Sequence, residues 1–164
     1  HGFNEALRSA LREDPDIILV GEMRDLETMR MAMEAAETGH LVFGTVHTTD
    51  VAATISRIVQ MFPTEEQQAA RVQLLSSLRF IIAQQLLPKL GGGRVAAREF
   101  LEFTPDLRKK LLELNPATLF NELKDATALE GITMMGAVRA NYDKGLITPE
   151  ELRRWELILQ EATT

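Results

Sequence analysis

Two short apolar runs, Ile17-Ile18-Leu19-Val20 and Leu41-Val42-Phe43-Gly44-Thr45-Val46, bracket a stretch of strong helix formers from Leu26 to Thr38. Continuous β-branched runs of this length read as strands buried on both faces, the pattern of a parallel sheet. A strand, a helix and a second strand in that order make a right-handed crossover the default connection. Gly39 stands where a left-handed C-terminal cap is expected. Before the first strand, Phe3, Ala6, Leu7, Ala10 and Leu11 fall at helical spacing up to Glu13, and Asp14-Pro15-Asp16 stops the helix. A further helix is expected from Val51 to Met61.

Downstream, Thr64-Glu65-Glu66 opens a helix expected to run through Leu74, Leu75 and Leu78 toward Ile82. Leu86–Leu90 and Val95–Phe103 flank Gly91-Gly92-Gly93, which reads as a hairpin at the sheet edge. Beyond Thr104-Pro105 only helices are expected, near Asp106–Leu114, Pro116–Lys124, Ile132–Lys144 and Pro149–Gln160. Asn115-Pro116 and Thr148-Pro149 each mark a cap followed by proline at the first helical position. The expected organisation is an α/β core over residues 1–103 and a small all-helical domain over 104–164.

Composition narrows the chemistry. The chain has 18 basic and 24 acidic residues, a net charge of -6, and no basic stripe of the kind that neutralises phosphates. Nucleic acid is therefore not an expected partner. No apolar run approaches the roughly 20 residues that span a bilayer, and the first residues lack the features of a signal peptide, so direct membrane insertion is not expected. With no cysteine, disulfides, thiolate metal sites and cysteine catalysis are excluded. A cytoplasmic location fits that composition.

Ligands of open parallel sheets bind at the carboxyl ends of the strands. Both apolar runs end there in polar groups, Glu22 after the first and His47 after the second. Adjacent strands lie about 4.8 Å apart, which would bring the two side chains to one ligand. A carboxylate in that place can orient and activate water, and a histidine can donate a hydrogen bond to a phosphate oxygen. The alternatives are plain: Glu22 as a carboxylate at the start of the next helix, His40 as a capping histidine, Arg24-Asp25 as a salt bridge beside the site, and Asp50 as a helix cap. The triple glycine lacks the Lys-Ser or Lys-Thr ending of a phosphate loop and reads as a turn.

The stretch Leu11-Arg12-Glu13-Asp14-Pro15-Asp16-Ile17-Ile18-Leu19-Val20-Gly21-Glu22-Met23-Arg24-Asp25 resembles the Walker B region of the secretion and pilus ATPase superfamily. Thr38-Gly39-His40-Leu41-Val42-Phe43-Gly44-Thr45-Val46-His47-Thr48 resembles its histidine box, and Gly91-Gly92-Gly93-Arg94-Val95-Ala96-Ala97 is similar to its edge segment. Together these cover roughly residues 5 to 105. The resemblance implies the second half of a RecA-like P-loop NTPase core. It also implies Glu22 as the catalytic glutamate near magnesium, touching the metal through water. His40 and His47 become the two histidines near ATP, and Arg24 a further nucleotide-side residue. Gly21 stands where many P-loop enzymes place an aspartate, as it does across this superfamily.

Within the superfamily, Glu22-Met23-Arg24-Asp25 and the absence of a four-cysteine element resemble the retraction (PilT-type) branch. After Thr104-Pro105, Asp106-Leu107-Arg108-Lys109-Lys110-Leu111-Leu112-Glu113 keeps only part of that branch's helix motif. The implied function is a hexameric motor for pilus retraction and twitching motility. It would act at the cytoplasmic face of the inner membrane, through an inner-membrane platform protein. Assembly or type II secretion ATPases are the alternative, as is a non-catalytic interaction module using Leu111, Leu112, Trp155 and Leu157. No Gly-x-x-x-x-Gly-Lys-Ser/Thr occurs. The chain is accordingly expected to be a C-terminal part that alone binds nucleotide weakly or not at all.

Overall fold

A computed structural model describes residues 2–161, apart from the Phe3 side chain, which the sequence places on the apolar face of the first helix. Helix α1 (Phe3–Leu11), strand β1 (Ile17–Val20), helix α2 (Leu26–Glu37) and strand β2 (Leu41–Gly44) follow in the expected order. The two strands are parallel, in the register Ile17↔Leu41 to Val20↔Gly44. Between β1 and β2 the chain crosses over through α2. Asp25 caps that helix, its Oδ1 accepting the Thr28 N–H at 2.8 Å. Gly39 ends it at φ +97°, which only glycine adopts without strain.

One face of the strand pair is covered. Leu7 of α1 and Met31 and Ala35 of α2 bury Ile18 and Val20, with Leu11, Met23 and Val42 packed around them. The other face is open: Ile17 is 61% and Leu19 75% exposed. The expectation that β1 is buried on both faces is therefore not met among the described residues, because α1 and α2 both pack on the Ile18/Val20 side. An unbroken apolar run carries no alternation from which that one-sidedness could be read.

The chain divides into two compact units. The first comprises residues up to Thr48, Thr54–Arg79 and Thr104–Leu114. Besides the βαβ segment it holds most of α3 (Val51–Gln60), a one-turn 3-10 helix (Thr64–Glu66), α4 (Gln67–Ser77) and α5 (Pro105–Glu113). Thr104 caps α5 through Oγ1, and Leu107 and Leu111 are buried. Arg71 of α4 is buried and donates from Nη1 to the Leu114 carbonyl at 3.3 Å.

The second unit comprises Thr49–Ala53, Phe80–Phe103 and the residues from Asn115 onward. Strands β3 (Phe80–Pro88) and β4 (Arg94–Glu102) form an antiparallel hairpin in the register Phe80↔Glu102 to Pro88↔Arg94. Gly91, Gly92 and Gly93 turn it, all with positive φ. Helices α6 (Pro116–Glu130), α7 (Met134–Asp143) and α8 (Pro149–Glu161) complete the unit. Its core is Leu87, Ala97, Met134, Val138 and Ile147, with Trp155 packed against it.

Two expectations need correction. The hairpin is a sheet of its own, not an edge of the parallel pair. Its first strand begins at Phe80, where the helix was expected to continue toward Ile82. Leu74, Leu78 and Ile82 match a helical repeat, but Ile81, Ala83 and Leu87 alternate inward on β3 and prevail through cross-strand pairing. Within the first unit α5 packs with α4, and within the second the hairpin packs with α6 and α7.

Candidate active site

The site grows from the register of the parallel pair. Val20 and Gly44 are its last partners, and beyond them the two chain segments stay clasped. The Thr45 hydroxyl donates to the Gly21 carbonyl, and the Met23 N–H donates to the Thr45 carbonyl at 2.9 Å. Thr45 thus grips the backbone on both sides of Glu22. The Glu22 side chain is 26% exposed and stands between two cations or donors. His47 donates from Nε2 to Oε1 at 2.7 Å, and Arg24 Nη2 lies 2.5 Å from Oε2.

The Arg24 guanidinium, hydrogen-bonded to Glu22, holds its carboxyl below the ordinary value of 4.5; His47 adds to the effect and partial desolvation opposes it. Glu22 is therefore ionised at neutral pH and accepts at both oxygens. His47 is 89% exposed, so the arrangement lies open to solvent on one side. Such a cluster can hold and polarise a water beside the carboxylate. It can also present the Nε2–H and guanidinium donors to a phosphate once either lets go of Glu22.

The other candidates fall elsewhere. His40 sits at the amino end of β2, and about 3.3 Å per strand residue puts it roughly 13 Å or more from the carboxyl end that carries His47. There its Nδ1–H donates to the Ala35 carbonyl at 2.9 Å, closing the end of α2. It lines a cleft with Arg8, Arg12, Met31 and Glu34. Within the described residues the two histidines do not share a site. Arg24 pairs with Glu22 while Asp25 caps α2, so the Arg24-Asp25 pair is not a salt bridge of its own. Asp50 does cap: its Oδ1 accepts the Ala53 N–H at 2.7 Å. Thr45 carries no signal in the sequence beyond a hydroxyl just past an apolar strand.

Among the described residues no group of three or more histidine, aspartate or glutamate side chains is arranged to hold a metal ion, and both Glu22 oxygens are engaged. The residues present do not build a magnesium site by themselves.

A family model described as "Type II/IV secretion system protein" matches residues 1–120. The chain is 53% identical over 152 residues to the "Type IV pilus retractation ATPase PilT" of Pseudomonas aeruginosa, covering 93% of this chain and 44% of that protein. Its structure is similar to that of the Legionella pneumophila ATPase DotB, with a TM-score of 0.90 and 36% identity over 98% of this chain and 42% of that one. It is also similar to the pilus retraction motor PilT solved with bound ADP, with a TM-score of 0.78 and 48% identity over 92% of this chain and 42% of that one. The chain spans less than half the length of these relatives. With more than half its residues matched by that model, it belongs to the type II/IV secretion system protein family.

Proposed function

We propose that this chain carries the hydrolytic part of a type IV pilus retraction ATPase, with Glu22 as the residue that orients and deprotonates the attacking water. The observation that carries the reading is the 2.7 Å hydrogen bond between Glu22 and His47, at the carboxyl ends of two parallel strands in a chain 53% identical to a pilus ATPase. Phosphoryl transfer from ATP asks little covalent chemistry of the protein and much positioning. Glu22 supplies an ionised acceptor for the water's proton. Arg24 keeps that carboxylate ionised, and His47 fixes its direction. When ATP is bound, His47 turns its Nε2–H from Glu22 to a terminal phosphate oxygen, freeing Oε1 for the water.

The nucleotide's magnesium belongs to the same proposal, reached by Glu22 only through water. The openness of His47 fits a site that other parts of a longer protein, or a neighbouring subunit, close over. A six-membered ring, coupling to an inner-membrane platform protein and action at the cytoplasmic face complete the reading. No described helix is long and apolar enough to cross a membrane.

The test is ATP turnover and ATP binding by the full-length protein, native against Glu22→Gln. A fall in turnover of about a hundredfold or more with binding retained is expected for a positioned acid–base group. Unchanged turnover would reduce Glu22 to a structural carboxylate.

A further inference from the structure

In a parallel strand pair the backbone N–H and C=O of every second residue face the partner strand. On β1 that series is set by the Leu41 N–H, which donates to the Asp16 carbonyl at 3.0 Å, and by the register Ile17↔Leu41 to Val20↔Gly44. Asp16, Ile18 and Val20 therefore turn their backbone groups toward β2. A regular strand would continue with Glu22, its N–H on the Thr45 carbonyl, and would point the Gly21 carbonyl away.

The chain does neither. The Gly21 carbonyl turns to the β2 side and accepts from the Thr45 hydroxyl, and it is the Met23 N–H that donates to the Thr45 carbonyl at 2.9 Å. One residue more is spent on the β1 side than on the β2 side, which defines a β-bulge, a device that re-aims side chains beside active sites. The side chains shift with the backbone. Ile18 and Val20 lie on the face that α1 and α2 cover, and Met23 packs against the same cluster. The Met23 thioether also lies over Gly44, where an added Cβ would come within 2.5 Å of its sulfur. Met23 thus takes the inward place that strict alternation would give to Glu22.

On the covered face Glu22 would stand as a carboxylate among Leu7, Met31 and Ala35, without donors to satisfy it. Displaced by one residue, it meets His47 Nε2 at 2.7 Å instead. Thr45 holds both peptide planes that flank the Glu22 Cα. Its hydroxyl bonds the plane between Gly21 and Glu22, and its carbonyl bonds the plane between Glu22 and Met23. Peptide planes are rigid, so two such bonds fix the direction in which the Glu22 side chain leaves the backbone. Any residue at position 45 offers the carbonyl; the hydroxyl bond needs threonine or serine.

We propose that Gly21 and Glu22 form a bulge at the end of β1 and that Thr45 is the positioning residue that locks it, so presenting Glu22 to His47. The proposal rests on the hydrolytic reading of Glu22. A misplacement of about 1 Å near a reacting group can cost on the order of a hundredfold in rate. Loss of the hydroxyl leaves the bulge one bond of its two, and turnover falls while the affinity for ATP stays close to native.

The experiment uses the full-length protein, with Thr45→Val, Thr45→Ser and Glu22→Gln beside the native chain. Valine keeps the shape of threonine and removes the hydroxyl; serine keeps the hydroxyl and removes the methyl group. ATP kcat and KM are measured for each, and crystal structures give the separation of Glu22 Oε1 from His47 Nε2 in the two Thr45 variants. In Thr45→Val kcat should fall tenfold to hundredfold, the order set by such misplacement. KM should stay within about twofold of native, and the separation should open beyond about 3.5 Å, the limit of a hydrogen bond. Thr45→Ser should restore most of the turnover and the native separation.

Native kcat in Thr45→Val, or a Glu22–His47 bond kept at its native length there, would overturn the proposal. Equal losses in the serine and valine variants would overturn it too, since they would assign the effect to the methyl group. Thr45 is exposed, so the loss of its hydroxyl leaves no buried group unpaired. Should Thr45→Val still fail to fold, Thr45→Ala read against Thr45→Ser gives the same decision. If Glu22→Gln keeps its turnover, it is the hydrolytic reading that fails, and the Glu22–His47 separation in Thr45→Val then decides alone whether Thr45 places the carboxylate.

Discussion

Arg24 Nη2 stands 2.5 Å from Glu22 Oε2, on the carboxylate oxygen that His47 does not use. The carboxylate is thus engaged from two sides by side chains of different reach, and the arginine is the larger influence on its charge. Glu22 titrates below its ordinary value in the folded chain, so the stability it contributes is complete above about pH 4.5 and is lost as pH falls through the lowered value. Removing the guanidinium returns Glu22 toward ordinary behaviour. Arg24→Gln should therefore melt below the native protein near neutral pH, and the gap should close below about pH 4.5. Melting curves of both proteins from acid to neutral pH check this; a gap that stays constant with pH would assign the role of Arg24 to something other than the Glu22 charge.

Gly131 has no space for a side chain. A Cβ built there would lie 2.2 Å from the Phe100 carbonyl oxygen and 3.1 Å from that of Thr127. The backbone cannot retreat, because Phe100 and Ile132 exchange N–H···O bonds of 2.9 and 2.8 Å across the same point. Gly131→Ala should cost about 1–3 kcal/mol, the range for overpacking a filled site, and denaturant unfolding measures it. Gly136→Ala, whose nearest neighbour is the Thr133 hydroxyl at 3.1 Å, is the milder comparison.

On α5, Leu111 is fully buried while its neighbour Leu112 is only partly so. Leu111→Ala should destabilise by about 2–5 kcal/mol, and Leu112→Ala by clearly less. Equal effects would mean that both leucines are core. A loss of partner binding in Leu112→Ala without a loss of stability would favour the docking role that the apolar stripe also allows.

The legible parts of the fold were those where local chemistry decides. Asp14-Pro15, Gly39, Asn115-Pro116 and Thr148-Pro149 punctuate the chain by backbone constraints that no tertiary contact overrides, and β1 and the start of α2 fell where they were read. The stretch from Leu78 to Gln85 was not legible. Its apolar residues satisfy a helical and a strand period at once, and only pairing with Ala97 to Glu102 selects the strand.

The site divides in the same way. Glu22 and His47 stand out in the sequence as polar groups after apolar runs, and the structure brings them together. His40 joins them only through the resemblance of its motif. Its place at the other end of β2 follows from counting strand residues, because four residues of strand separate it from the carboxyl edge.

The Thr45 clasp and the Val20↔Gly44 register make the strand pair a ruler with Glu22 two residues past one mark and His47 three past the other. Length changes in the chain are then unequal in consequence. An added residue in the connections at either end of α2 lengthens a loop and leaves both offsets alone. One added or lost between Val20 and Glu22, or between Gly44 and His47, turns a side chain to the opposite side and separates the pair. Homologous chains that hydrolyse ATP by this arrangement should therefore vary freely in the total spacing from Glu22 to His47, yet hold the offsets of two and three without exception.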